Sequence, residues 1–153
     1  MQKKHISKLA VAALLFFMLF SLPEVFAQCK SFVKSSCLPQ LNPYIHDGSY
    51  QAVIMSEGEE ADVYKPIFAG QQYRLFVCVD NSLPNVEFIV WDARRNILFD
   101  NRKNNNVKYW DFKSDASQNI RVTIRIPKSR NQNSSDSEII FGCVGMLFGL
   151  LEK

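Results

Sequence analysis

The stretch NIRVTIRIP, residues 119–127, alternates strictly between apolar and polar positions. Ile120, Val122, Ile124 and Ile126 fall on one side, and Arg121, Thr123 and Arg125 on the other. That period of two is the pattern of a half-buried β-strand. It recurs along the chain and predicts strands over about 49–57, 60–68, 72–80, 86–92, 96–100, 108–113, 119–127 and 138–149. Trp110 and Phe112 oppose Tyr109, Asp111 and Lys113, while Val86, Phe88 and Val90 oppose Glu87, Ile89 and Trp91. In 72–80 both faces are apolar: Tyr73, Leu75, Val77 and Val79 on one, Phe76 and Cys78 with Arg74 on the other. A strand buried on both sides is expected at the centre of a sheet. Pro66 cannot donate to a ladder, so its strand is expected at an edge or a bulge.

Turn chemistry separates these segments at Glu57-Gly58, Ala69-Gly70, Asn81 to Pro84, Arg94 to Asn96, Asn104 to Asn106 and Ser114-Asp115. No long 3.6-residue apolar repeat competes with them. The fold class expected is all-β: an antiparallel, jelly-roll-like β-sandwich of about eight strands. Residues 29–46 are the least regular, and Pro39 and Pro43 limit them to a short helix or an ordered loop. The hydrophilic run 128–137, KSRNQNSSDS, reads as a mobile loop. The apolar run 139–151 is shorter than the ~20 residues a membrane helix needs and reads as a buried last strand.

The N-terminus changes the picture. Lys3, Lys4 and Lys8 precede the apolar run LAVAALLFFMLFSL, then Pro23 and the small-residue site Val25-Phe26-Ala27. This is the pattern of a secretory signal peptide over residues 1–27, leaving 28–153 as one domain. Lipid attachment at Cys29 is the alternative, but Gln28 stands where that motif wants a small residue. Three lysines and one glutamate leave with the signal, so 15 basic residues face 14 acidic ones in the remainder. A net charge near +1 gives no case for nucleic acid. The localisation expected is the periplasm, the cell envelope or outside the cell, with no membrane span in the mature chain and no cofactor.

Export places Cys29, Cys37, Cys78 and Cys143 in an oxidising setting, where pairing is the default. Their spacing contains no C-x-x-C metal pair. Of three pairings, the one adopted is Cys29–Cys37 with Cys78–Cys143. It requires a loop between Cys29 and Cys37, because eight helical residues would set them about 12 Å apart, beyond the ~7 Å a disulfide tolerates.

The series HDGSYQAV, EGEEADVYKPIFAGQQYRLFVCVD, WDARRNILFDN, YWDFKS and FGCVGMLFG resembles a family of small exported bacterial proteins. The order of features from Gly70 to Tyr73, Val86 to Asp92 and Ile97 to Asp100 is similar to pre-peptidase C-terminal-type β-sandwich modules. The resemblance implies a jelly-roll-like accessory fold without catalytic residues. Unlike those modules, the chain is expected to stand without an attached catalytic domain.

Four chemistries remain to be weighed. His46-Asp47 could supply the base and orienting carboxylate of a small hydrolase, although Asp47-Gly48 is equally a turn before a strand. Asp92, Asp100 and Asn101 could offer oxygen ligands to Ca²⁺, without a D-x-D-x-D-G loop to organise them. Trp110, Tyr44, Tyr50, Tyr64 and above all Trp91 and Tyr109 could form a stacking platform for a carbohydrate, although the alternation makes Trp110 a core residue. Arg121 and Arg125, with Arg74, could make a basic stripe. The function expected is an exported, non-catalytic binding or accessory role, the ligand a protein or a carbohydrate, with a second copy of the chain among the candidate partners.

Overall fold

A computed structural model describes residues 25–128 and 139–152, with side chains from Gln28 onward. The expected signal stretch, apart from the backbone of 25–27, and residues 129–137 of the expected loop lie outside the described residues. Among the described residues there are eight strands: β1 (Ile45–Ser56), β2 (Glu60–Ile67), β3 (Gln72–Val79), β4 (Glu87–Trp91), β5 (Ile97–Asp100), β6 (Tyr109–Lys113), β7 (Gln118–Arg125) and β8 (Phe141–Leu150). They form two four-stranded antiparallel sheets, in the orders β1-β8-β3-β6 and β2-β7-β4-β5. β1 pairs with β8, β2 with β7, β3 with β6 and β4 with β5. The pairs nest like one long hairpin folded over itself, which is the jelly-roll arrangement.

The expected faces hold. Ile120, Val122 and Ile124 of β7 meet Phe88 and Val90 of β4 on the inner face, against Leu75, Val77, Val144, Met146 and Phe148 of the other sheet. Each fully buried large apolar side chain contributes about 1.5–3 kcal/mol. β3 is central, as its two apolar faces required, and β2 with Pro66 is an edge strand. Two devices close the open sides of the sandwich. On the β5/β6 side, a ladder of rings runs from Tyr73 through Phe112, Trp110 and Phe99 to Phe88, with centroids 4.0–5.5 Å apart. On the β1/β2 side, Lys65 passes over the Phe148 ring and reaches the Asp47 carboxylate at 2.5 Å.

The outer face of the first sheet is also apolar, and the N-terminal segment covers it. Helix α1 (Val25–Phe32) runs into a π-helical turn (Val33–Cys37) and a 3₁₀ turn (Leu38–Leu41). Val33, Cys37 and Leu41 pack on Phe76, Cys78 and Leu147. Glycine makes the approach close enough: a Cβ at Gly145 would sit 2.7 Å from Val33 and 2.8 Å from the Cys78 sulfur. The cysteine pairing departs from expectation. Cys37 is bonded to Cys78, with Cα atoms 6.2 Å apart, and Cys29 and Cys143 are free thiols. The physical reason is the helical course of 29–37, which separates Cys29 from Cys37 and sets Cys37 down on β3.

Two substitutions test this packing by urea denaturation. Phe88→Ala, which empties a fully buried site, should cost about 3–5 kcal/mol. Gly145→Val should cost about 1–3 kcal/mol by overpacking the seam under Val33, with the loss falling on the N-terminal segment.

Candidate functional site

With the first sheet covered, the outer face of the second is the broad surface left to solvent. Its register builds rows of side chains across four strands. Tyr64 of β2 lies opposite Arg121 of β7, Arg121 opposite Trp91 of β4, and Trp91 opposite Ile97 of β5. Tyr64 is 67% exposed and Ile97 48%. The Arg121 guanidinium lies over the Trp91 ring, 5.0 Å from its centroid. The Trp91 indole Nε1 donates to Thr123 Oγ1 at 3.1 Å, and that hydroxyl donates to Asp62 Oδ1 at 2.6 Å. Arg121 Nη1 is 3.5 Å from Asp62 Oδ2. In the adjacent row Arg125 lies opposite Glu60 on one side and Glu87 on the other. Tryptophan and arginine are therefore held in place by neighbours, while tyrosine and isoleucine project beside them.

The sequence-derived candidates divide between the two faces of the sandwich. Trp91, Arg121 and Arg125 share the open face, and Tyr64 belongs with them. Tyr109 does not. It sits on β6, on the outer side of the first sheet, where Arg74 is placed between the rings of Tyr44 and Tyr109 at 4.5 and 4.8 Å. Arg74 also binds Asp111 through Nε and Nη2 at 2.6 Å and the Asn42 carbonyl at 3.1 Å. This clasp ties the N-terminal segment to β3 and β6. Trp91 and Tyr109 thus form no common platform, and a ring face of each is taken by an arginine.

The other candidates are structural connectors. His46 Nε2 lies 3.0 Å from the Ser49 carbonyl oxygen. Asp47 accepts from the Ser49 N–H and hydroxyl, both at 2.9 Å, and from Lys65, and does not engage the imidazole. These contacts shape a bulge in β1 between His46 and Tyr50, where Gly48 takes φ 88°. The Asp-Gly turn expected before the first strand is thus a bulge inside it. Burial alone would raise the Asp47 carboxyl, but the Lys65 ammonium and the Ser49 donors outweigh it and hold it below the usual range.

The oxygens of the calcium candidates have protein partners as well. Asp92 accepts from Arg94 N, Asn96 N and Asn96 Nδ2 at 2.7–2.8 Å, shaping the β4–β5 turn. Asp100 makes a two-point contact with the Arg102 guanidinium, which holds its carboxyl below the usual range. Asn101 is fully buried; its Oδ1 accepts from Phe88 N and its Nδ2 donates to the Val86 and Val107 carbonyls. Among the described residues, no group of three or more His, Cys, Asp or Glu side chains is placed to hold a metal.

Asp80 is one more of the strand-end oxygens that the sequence offers to a cation. It closes the seam between β3 and β8, accepting from Cys143 N at 2.6 Å and from Ser82 N at 2.9 Å and the Ser82 hydroxyl. Burial would raise its carboxyl, but these donors hold it low.

Two measurements follow from these connectors. Asn101→Ala should lower stability by about 1–3 kcal/mol by stranding Phe88 N–H, whereas adding EDTA should leave the thermal midpoint unchanged. Asp47, Asp80 and Asp100 each release a proton more readily folded than unfolded. Their contribution is therefore complete above the unfolded carboxylate value of about 3.9 and is lost as pH falls through the lowered folded values. Thermal midpoints measured by circular dichroism should be flat from about pH 5 to 7 and fall below about pH 4.

No protein-family model matches the chain, and no curated protein matches it. Among solved structures, the crystal structure of Aeromonas hydrophila PliG, a periplasmic lysozyme inhibitor of g-type lysozyme, aligns over 67% of this chain and 85% of its own, with 9% sequence identity and a TM-score of 0.49.

Proposed function

We propose that this is an exported, non-catalytic binding protein that docks a partner protein on the open face of the β2-β7-β4-β5 sheet. The observation that carries the reading is the row Tyr64–Arg121–Trp91–Ile97, which crosses all four strands of that face. Tyrosine, tryptophan and arginine dominate the energetics of protein interfaces, because they bury large areas around fixed polar handles. Trp91 and Arg121 are held by Thr123 and Asp62 before any partner arrives, so little side-chain entropy is lost on docking. The surrounding charges alternate in sign, with Glu60, Asp62 and Glu87 beside Arg121 and Arg125, which suits a polar rim better than an anionic polymer.

Stacking on a sugar is the weaker reading, because the guanidinium of Arg121 already occupies a face of the Trp91 ring. Hydrolysis is disfavoured by the state of its candidate groups. Asp47 accepts from Ser49 and Lys65 and not from the His46 ring, whose Nε2 lies 3.0 Å from the Ser49 carbonyl oxygen. Export rests on the leader pattern of residues 1–27 and on the Cys37–Cys78 bond, a feature of oxidising compartments. No helix among the described residues is long and apolar enough to cross a membrane.

Photocrosslinking in the exported protein tests the face directly. A photoreactive residue at position 64 or 97 should yield a discrete protein adduct that Arg121→Glu abolishes, and one at exposed Lys34 on the opposite side should not. Arg121→Glu should leave stability within about 0.5 kcal/mol if its role is in binding. An adduct of twice the chain mass would make the partner a second copy. Adducts only from Lys34, or glycan-panel binding lost in Trp91→Ala, would refute the reading.

A further inference from the structure

The helical N-terminal segment meets the first sheet at two cysteines, and only one is bonded. Cys37 is joined to Cys78. Eight residues upstream, Cys29 is 1% exposed. Its sulfur donates to the Val53 carbonyl of β1 at 3.4 Å, and its side chain is near enough to Cys143 to help raise that thiol. The strand register explains the meeting. Val53 precedes Ile54, the residue directly opposite Cys143. Cys78 lies opposite Gly145, two residues beyond Cys143, so the two strand cysteines point to the same outer face. Two strand residues along and one strand across place them about 8 Å apart, and eight helical residues separate Cys29 from Cys37 by about 12 Å. Two side chains can span that difference. The segment's cysteines and the sheet's cysteines therefore match as two side-by-side couples.

We propose that Cys29 and Cys143 form a second disulfide in the exported protein, fastening the start of the helical segment to β8 as Cys37–Cys78 fastens its end to β3. The bond forms by thiol–disulfide exchange. Two S–H bonds are lost and one S–S bond is made; the two protons and two electrons pass to an incoming disulfide, that of an oxidoreductase or of oxidised glutathione, which leaves as two thiols. The bond is structural. Burial first, then the Cys29 side chain and the Asp80 carboxylate, push the Cys143 thiol up to about 12, so in the folded protein it is no nucleophile at neutral pH. Closure belongs to folding, before the segment buries the pair. A bond at this place also buries the Cys29 sulfur against lipid attachment.

The test uses the full chain, reduced, unfolded and refolded in a reduced/oxidised glutathione buffer, so that it does not depend on where the protein resides. The product is unfolded without reductant, alkylated with iodoacetamide and mapped by mass spectrometry. The expected result is no alkylated cysteine, cross-linked peptides Cys29–Cys143 and Cys37–Cys78, and a mass about 4 Da below the reduced chain, two hydrogens per bond. Cys29→Ser should leave one alkylated thiol, at Cys143, with Cys37–Cys78 intact and a lower thermal midpoint. Alkyl groups on both Cys29 and Cys143 after oxidative refolding, or Cys29 linked to Cys37 or Cys78, would overturn the proposal.

Discussion

The architecture depends on one contact: the N-terminal segment lying on the outer face of β8 and β3. That face is apolar, with Phe76, Cys78 and Leu147 pointing away from the sandwich interior. Left open it would be an exposed apolar patch of the kind that drives aggregation. Val33, Cys37 and Leu41 cover it, Gly145 lets them come close, and the Cys37–Cys78 bond keeps them there. Arg74 adds a polar clasp between Tyr44, Tyr109 and Asp111 at the far end of the segment. The consequence is asymmetry. At β3 and β8 the first sheet is buried on both faces, and the second sheet is left with a broad face in water. A broad face stays open to a partner because the N-terminal helical segment lies on the opposite side.

The sandwich that carries this asymmetry is held by non-local pairs. β1 and β8, the first and last of the described strands, share the longest ladder. The β4–β5 pairing is closed by a short turn that the Asp92 carboxylate organises. Loop-closure entropy makes the outer pairs the costly ones. Cross-links between residues 37 and 78, and in our proposal between 29 and 143, act where that entropy is largest. The two open sides are sealed by different physics: ring stacking on one, and on the other a largely buried ion pair whose lysine ammonium lies over the Phe148 ring.

Polar residues that look chemical in the sequence mostly connect elements here. Asn101 satisfies the backbone of the β4 entry and of the chain leading to β6, Asp92 and Asp100 shape their own turns, and His46 and Asp47 shape a bulge. An Asx residue near a strand end serves equally as turn former and as oxygen ligand. The difference lies in which donors surround it, and those come from residues far away in the chain or from local backbone geometry.

The sequence by itself determined the strands, their faces and the fold class. Alternation with a period of two is a local property, and a strand with one buried face must obey it. It also fixed β3 as central and β2 as an edge, since double-sided burial and a missing N–H donor are legible in single residues. Only the tertiary structure decided the cysteine partners, because pairing depends on where the helical segment lands and not on spacing. It separated Trp91 from Tyr109, which are equivalent as exposed strand aromatics until each is assigned to its sheet. It also assembled Tyr64, Arg121, Trp91 and Ile97 into one row, from strands up to 57 residues apart whose order across the sheet no local pattern encodes.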